Sequence, residues 1–147
     1  MTRYALLFDH DQSIAEWCWR EFDLFPMAFN MAIGILDTHN EALAGAAMFW
    51  NWNGCNIELN YYGPETPTLG IARVLANLAL NRFHVSRATI RTCCVNDYII
   101  KGMKKLGFYE EGTERDMYGL GKDAQRLVIF RDGLIRLAGK GAKHGWQ

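Results

Sequence analysis

The stretch that most restricts the fold runs from Asn56 to Val95. Asn56 to Tyr62 alternates like a strand, Thr68 to Phe83 has apolar residues at helical spacing, and Arg87 to Val95 is again β-branched and alternating. A helix between two strands is the crossover that joins parallel neighbours, so the spacing predicts a parallel pair inside a mixed sheet. Within the helix, Ile71, Leu75 and Leu78 form one apolar row, and Leu69, Ala72, Ala76, Ala79, Leu80 and Phe83 form a second. Only Arg73, Asn77 and Asn81 make a polar stripe, so this helix has to be covered nearly all round, as when it lies on a sheet between other elements.

The remaining segments complete that pattern. Arg3 to Phe8 suits a strand, and Asp11 or Ser13 can cap a helix with Ile14, Trp17 and Cys18 on one face. Pro26 makes Asp23 to Phe29 a turn or a single helical turn. Met31 to Leu36 and Ala42 to Trp50 are apolar on both faces and read as central strands joined by a hairpin loop from Asp37 to Glu41. Asn53-Gly54 is a favoured two-residue turn into Asn56 to Tyr62, which makes that strand antiparallel to the one before. After Val95, Asp97 to Leu106 is a short helix with Gly107 as its stop, and Tyr109 to Tyr118 and Gln125 to Arg131 are two last strands. The expected class is therefore mixed α/β, a single domain over residues 1–132. Gly133 to Gln147, with four Gly and three Lys or Arg, reads as a flexible tail.

Sixteen basic residues balance sixteen acidic ones, so no overall basic field exists to hold a nucleic-acid backbone. No apolar stretch approaches the ~20 residues of a membrane span, and the N-terminal run lacks the longer apolar core of a signal peptide, so a cytoplasmic protein is expected. Cys18, Cys55, Cys93 and Cys94 contain no C-x-x-C pair and have no His at zinc-ligand spacing. They are expected as small buried hydrophobes, with no metal.

Two pieces carry chemistry. The first is Pro67-Thr-Leu-Gly-Ile-Ala72, which opens the long helix directly after a strand. A helix start presents the unpaired amides of roughly four residues and a partial positive charge, a natural seat for a pyrophosphate. Leu69, Gly70, Ile71 and Ala72 would supply the amides, Thr68 would cap the helix, and Gly70 would let a phosphate approach without a Cβ in the way. The second piece is Asn96-Asp-Tyr-Ile-Ile-Lys-Gly-Met-Lys-Lys-Leu-Gly-Phe-Tyr-Glu-Glu-Gly112, followed by Arg115.

In these residues the half from Asn56 to Phe130 resembles the GNAT superfamily of acyl-CoA-dependent N-acyltransferases, in particular the branch that acetylates protein N-termini, ribosomal proteins and small amines. The resemblance implies a mostly antiparallel sheet splayed at two parallel strands and flanked by helices, with acetyl-CoA held in the gap as co-substrate. It also implies no metal, and an acceptor amine on a small molecule or a protein. It implies coenzyme contacts from Asn60, Tyr61, Thr68 to Ala72, and Asn96, the last toward the pantetheine arm. Two positions depart from the family pattern: Pro67 stands where Gln or Arg is usual, and Met103 stands where a Tyr often protonates the leaving thiolate.

Glu58 is the candidate general base. Alternation puts Asn56, Glu58, Asn60 and Tyr62 on one face of their strand, twelve residues before Gly70, about where the family places its base. A carboxylate there can take the proton of an attacking amine, directly or through water. Tyr61, Tyr62 and Tyr98 are the candidates for the acid, with Tyr62 paired to Glu58 as the catalytic set. A non-catalytic acyl-CoA-binding or interaction module of the same fold is the alternative. The aromatic run Phe49-Trp-Asn-Trp52 can line an acceptor pocket or, through Trp50 and Trp52, join a homodimer.

Overall fold

The computed structural model describes residues 3–63 and 68–139. Along the chain these form β1 (Tyr4–Leu7), α1 (Asp11–Glu21), β2 (Met31–Asp37), β3 (Ala42–Trp50), β4 (Asn56–Tyr62), α2 (Leu69–Asn81), β5 (Arg87–Cys93), α3 (Asp97–Lys105), β6 (Tyr109–Glu114), β7 (Ala124–Phe130) and α4 (Arg131–Ala138). The seven strands form one sheet in the order β1-β2-β3-β4-β5-β7-β6. The described residues group into two compact units, 3–52 with 59–63 and 53–58 with 68–139, so β4 contributes to both.

In the first unit, β1 pairs antiparallel with β2, and β2 with β3. The expected hairpin loop is present, with Glu41 at φ +54 completing its turn. Ile14, Ala15, Cys18, Ala32, Ala46 and Met48 form the buried cluster, ringed by aromatics of α1 and the segment after it, including Trp17, Trp19, Phe22 and Phe29. The α1 cap differs from expectation. His10 occupies the cap position without a side-chain bond. The Asp11 carboxylate instead accepts from the Ala32 amide at 3.0 Å, tying the helix start to β2. Gly45 is required by close approach, since a Cβ there would run into the Tyr62 carbonyl oxygen.

In the second unit, β4 and β5 are parallel, and β7 lies antiparallel between β5 and β6. Ile57, Ala88, Ile90, Leu127 and Ile129 are buried, as are Leu75, Ala76, Ala79 and Leu80 of α2 and Leu134 and Ala138 of α4. Asn77, expected on the polar stripe of α2, is also buried and donates to the Arg73 carbonyl at 3.0 Å. The tail expectation is corrected over 133–138, which belong to helix α4 (Arg131–Ala138). Residues 140–147 lie outside the described set.

Three boundaries also move. The β3–β4 connection spans residues 51–55. Its tight turn is Gly54-Cys55, because Asn53 N donates to Asn56 O at 3.1 Å and the Asn53 side chain accepts from the Cys55 and Asn56 amides at 2.9 and 2.7 Å. Positive φ falls on Asn51 and Gly54, not on Asn53. Cys55 is consequently exposed, whereas Cys18 is buried as expected. β5 ends at Cys93 and β6 at Glu114, short of Val95 and Tyr118, and both of those residues are substantially exposed. The Gly107 stop is as read, with φ +112 and the Phe108 amide donating to Met103 O at 3.1 Å.

Candidate functional site

The β4–β5 ladder is short. Asn56, Ile57 and Glu58 pair with Arg87, Ala88 and Thr89, and the register ends there although both strands continue. β5 keeps its pairing with β7 along its whole length, from Arg87↔Phe130 to Cys93↔Ala124. Glu58 is thus the last β4 residue in the parallel ladder.

Its carboxylate is buried, at 5% exposure, and forms an ion pair with Arg91 of β5. The neighbouring polar side chains belong to the same sheet face. Arg91 Nε donates to Glu114 Oε1 of β6 at 2.6 Å. Asn56 Oδ1 accepts from Thr89 Oγ1 at 2.7 Å and from Arg87 Nε at 3.2 Å. Arg87 in turn donates from Nη1 to Glu111 at 2.9 Å, and Arg126 of β7 lies 3.3 Å from the same carboxylate. The Arg87 hydrogen bond holds the Glu111 carboxyl below its ordinary value, with Arg126 adding to the effect. Tyr118, after β6 and about half covered, is pushed up by that partial burial, and the charge of Arg91 opposes the push.

Sequence reasoning proposed Glu58 but missed Arg91, Glu114 and Tyr118. The available signal was the alternation of β5, which puts Arg87, Thr89 and Arg91 on one face of an otherwise apolar strand. At Glu58 the residue facing the carboxylate is a guanidinium.

Helix α2 starts as read at Thr68, whose hydroxyl accepts from Ile71 N at 3.2 Å while Ala72 N donates to Thr68 O at 2.9 Å. Two of the four expected amides are therefore used inside the cap. Those of Leu69 and Gly70 make no hydrogen bond to a described residue. No acidic side chain occupies the first turn, so among the described residues of that turn none offsets the positive end of the helix dipole. Gly70 is exposed, and a Cβ on it would meet no described atom nearer than Thr68 Oγ1 at 3.9 Å, so packing does not explain the glycine. Pro67 lies outside the described residues.

Asn96 stands at the cap position of α3 but does not cap it. Its Nδ2 donates to Thr92 Oγ1 at 3.2 Å. Met103 is buried in α3, and Tyr98 on the same helix is 76% exposed.

The remaining candidates belong to the first unit. With its amide oriented to satisfy its neighbours, Asn60 accepts from the Tyr62 hydroxyl at 3.1 Å and from Trp50 Nε1 at 3.2 Å. The Tyr62 ring tilts against Phe22 at 5.5 Å. Tyr61 is half-buried beside Gly63. A cavity of about 400 Å³ in this unit is lined by Trp17, Glu21 and Phe22 of the α1 region and by Asp37, Asn40 and Leu43 of the β2–β3 hairpin. Trp52 is 45% exposed. Among the described residues, no group of three His, Cys, Asp or Glu could hold a metal ion, and no helix is long and apolar enough to cross a membrane.

No protein-family model and no curated protein matches the chain. Solved structures do. A Vibrio cholerae spermidine N-acetyltransferase SpeG with an N152L substitution superposes with a TM-score of 0.66 at 14% identity, over 90% of this chain and 96% of that one. A chimera of the Vibrio cholerae and hSSAT enzymes gives 0.67 at 14%, over 92% and 99%. A dodecameric form of the Vibrio cholerae enzyme gives 0.67 at 14%, over 88% and 95%. These enzymes belong to the GNAT superfamily, and the seven-stranded sheet with four helices is the GNAT fold.

Proposed function

We propose that this protein is an N-acetyltransferase that moves an acetyl group from acetyl-CoA to a primary amine by direct attack on the thioester. The observation that carries the reading is the buried carboxylate of Glu58, the last β4 residue in register with β5. The positive, uncrowded start of α2 supports it independently, because coenzyme phosphates need amide donors and a close backbone approach.

In this reading the Leu69 and Gly70 amides, with the rest of the Thr68 to Ala72 turn, take the pyrophosphate, and Asn96, Asn60 and Tyr61 line the coenzyme's path. Acetyl-CoA supplies the activated acyl group. Glu58 accepts the proton released when the amine nitrogen bonds to the carbonyl carbon. As the C–S bond breaks, the thiolate takes a proton from a phenol, assigned to Tyr62. General base catalysis of this kind contributes typically ~10²- to 10⁴-fold. The spermidine activity of the structural neighbours makes a polyamine the first acceptor to test, and assembly into oligomers is proposed on the same footing.

One observation favours a second reading, a module that binds acyl-CoA without turning it over: Met103 is buried at the position where the family's acid is usual. Thiol release from acetyl-CoA across a panel of polyamines, lysine peptides and N-terminal peptides separates the two. Acceptor-dependent release is expected. A coenzyme-induced stabilisation without release for any acceptor would establish the binding module.

A further inference from the structure

The cavity beside α1 carries one uncompensated charge. It encloses about 400 Å³, within the ~300–1,000 Å³ of small-molecule sites, and Trp17, Phe22 and Leu43 give it apolar walls. Among the described lining residues the charged side chains are both acids, Glu21 at the end of α1 and Asp37 at the end of β2. Asp37 is already committed. Its carboxylate accepts from Arg3 Nη2 at 3.0 Å, from the His39 amide at 3.0 Å and from Asn40 Nδ2 at 2.9 Å, so with Arg3 it forms a neutral pair. Glu21 is exposed and makes no hydrogen bond or ion pair to a described residue, which leaves the lining with a net negative charge. With its Nδ2 on Asp37, the Asn40 side chain keeps Oδ1 as an acceptor without a described donor.

These features select the occupant. The negative lining repels an anion and attracts a cation, and the aromatic walls add to that attraction through the negative faces of their rings. Glu21 and Asn40 Oδ1 are acceptors, so the cation should carry N–H donors, which a quaternary ammonium lacks. A primary ammonium is a compact charge with three donors, and the alkyl chain behind it suits the apolar walls. We propose that this cavity binds a primary alkylammonium group, with Glu21 as counter-ion, Asn40 as second acceptor and Trp17 and Phe22 against the chain. A free alkylamine and the lysine side chain of a protein present the same chemistry. The site uses no residue assigned to acetyl transfer, so it stands apart from that reading. Its one link to the transferase residues is Phe22, the ring against which Tyr62 tilts at 5.5 Å.

The experiment titrates the full chain, without coenzyme, with n-butylammonium, with Nα-acetyl-lysine methylamide and with n-butanol. Proton–nitrogen correlation spectra follow the Trp17 indole and the Asn40 side-chain amide. Butylammonium should move both signals saturably in the millimolar range. Butanol has the chain without the charge and should bind about fivefold more weakly, the scale of an exposed ion pair. Glu21→Gln should weaken butylammonium about fivefold and leave butanol unchanged. Glu16→Gln removes an equal charge from α1 outside the cavity and should change neither. Equal binding of amine and alcohol, equal effects of the two substitutions, or no saturable shift overturns the site. Where the site is upheld, tighter binding of the lysine derivative identifies a protein side chain as the source of the ammonium, and tighter binding of butylammonium a free amine. None of these outcomes depends on turnover, so a failed transfer assay leaves the site intact and a failed titration leaves the transferase reading intact.

Discussion

Replacing Gly70 by glutamate should make the protein alone more stable and at the same time unresponsive to acetyl-CoA. A Cβ at this position meets no described atom closer than 3.9 Å, so the new side chain has room. Removing a helical glycine gains about 0.5–1 kcal/mol. A carboxylate in a first turn that now has none adds ~0.3–1 kcal/mol through the helix dipole. At roughly 2–4 °C per kcal/mol for a chain of this size, the variant should melt roughly 2–8 °C higher. Acetyl-CoA at a hundredfold excess over Kd stabilises wild type by ~2.7 kcal/mol, or roughly 5–11 °C. The glutamate obstructs the approach to the Leu69 and Gly70 amides and repels the phosphates, so that ligand-induced shift should vanish. Tryptophan fluorescence during thermal unfolding, with and without coenzyme, reads both effects. A variant that keeps the full coenzyme shift, or a wild type that shows none at millimolar coenzyme, refutes the placement of the phosphates at α2.

Four further outcomes rest on particular contacts. Glu58→Gln should lower kcat by ~10²-fold while leaving acetyl-CoA affinity near wild type, and unchanged turnover in a folded variant removes Glu58 from the chemistry. The hydrogen bond from Arg3, with further bonds from the backbone, holds the Asp37 carboxyl below its ordinary 3.8. A depressed folded value means that stability is whole above 3.8 and lost as pH falls through the folded value, so the Tm deficit of Arg3→Met at neutral pH should close in acid, and a deficit independent of pH assigns Arg3 to packing instead. Burial pushes the Cys18 thiol up to about 12, so maleimide should label exposed Cys55 in the native protein and spare Cys18, as peptide mass spectrometry would read. Gly45→Ala should cost about 1–3 kcal/mol in chemical denaturation, since the Tyr62 carbonyl stands where the methyl would go, and an unchanged midpoint would mean that β4 yields there.

The sequence carried the strands and the long helix because their apolar periods are set by burial, and burial is a property of each segment alone. β3, β4 and α2 appear within a residue or two of the expected limits. Helix α4 was illegible for the opposite reason. It has eight residues with a glycine inside, and it is held by the burial of Leu134 and Ala138 rather than by its own propensity. The turn at Gly54-Cys55 slipped by one residue because the Asn53 side chain takes over the backbone's role there, which dipeptide preferences do not register. Glu58 could be picked from its strand row, since alternation is local. Its partnership with Arg91 could not, because that depends on the register between strands thirty residues apart. Asn96 illustrates the same limit, for a residue with strong cap preference spends its amide on Thr92 once β5 is alongside.

The measurement that bears most directly on acyl transfer is the reaction of acetyl-CoA with spermidine, followed by thiol release and by mass spectrometry of the amine, with wild type beside Glu58→Gln. Direct attack assisted by Glu58 predicts one acetyl group gained per thiol released, and a rate ~10²-fold lower in the variant. Thiol release without acetylated amine, or equal rates for the two proteins, would contradict it.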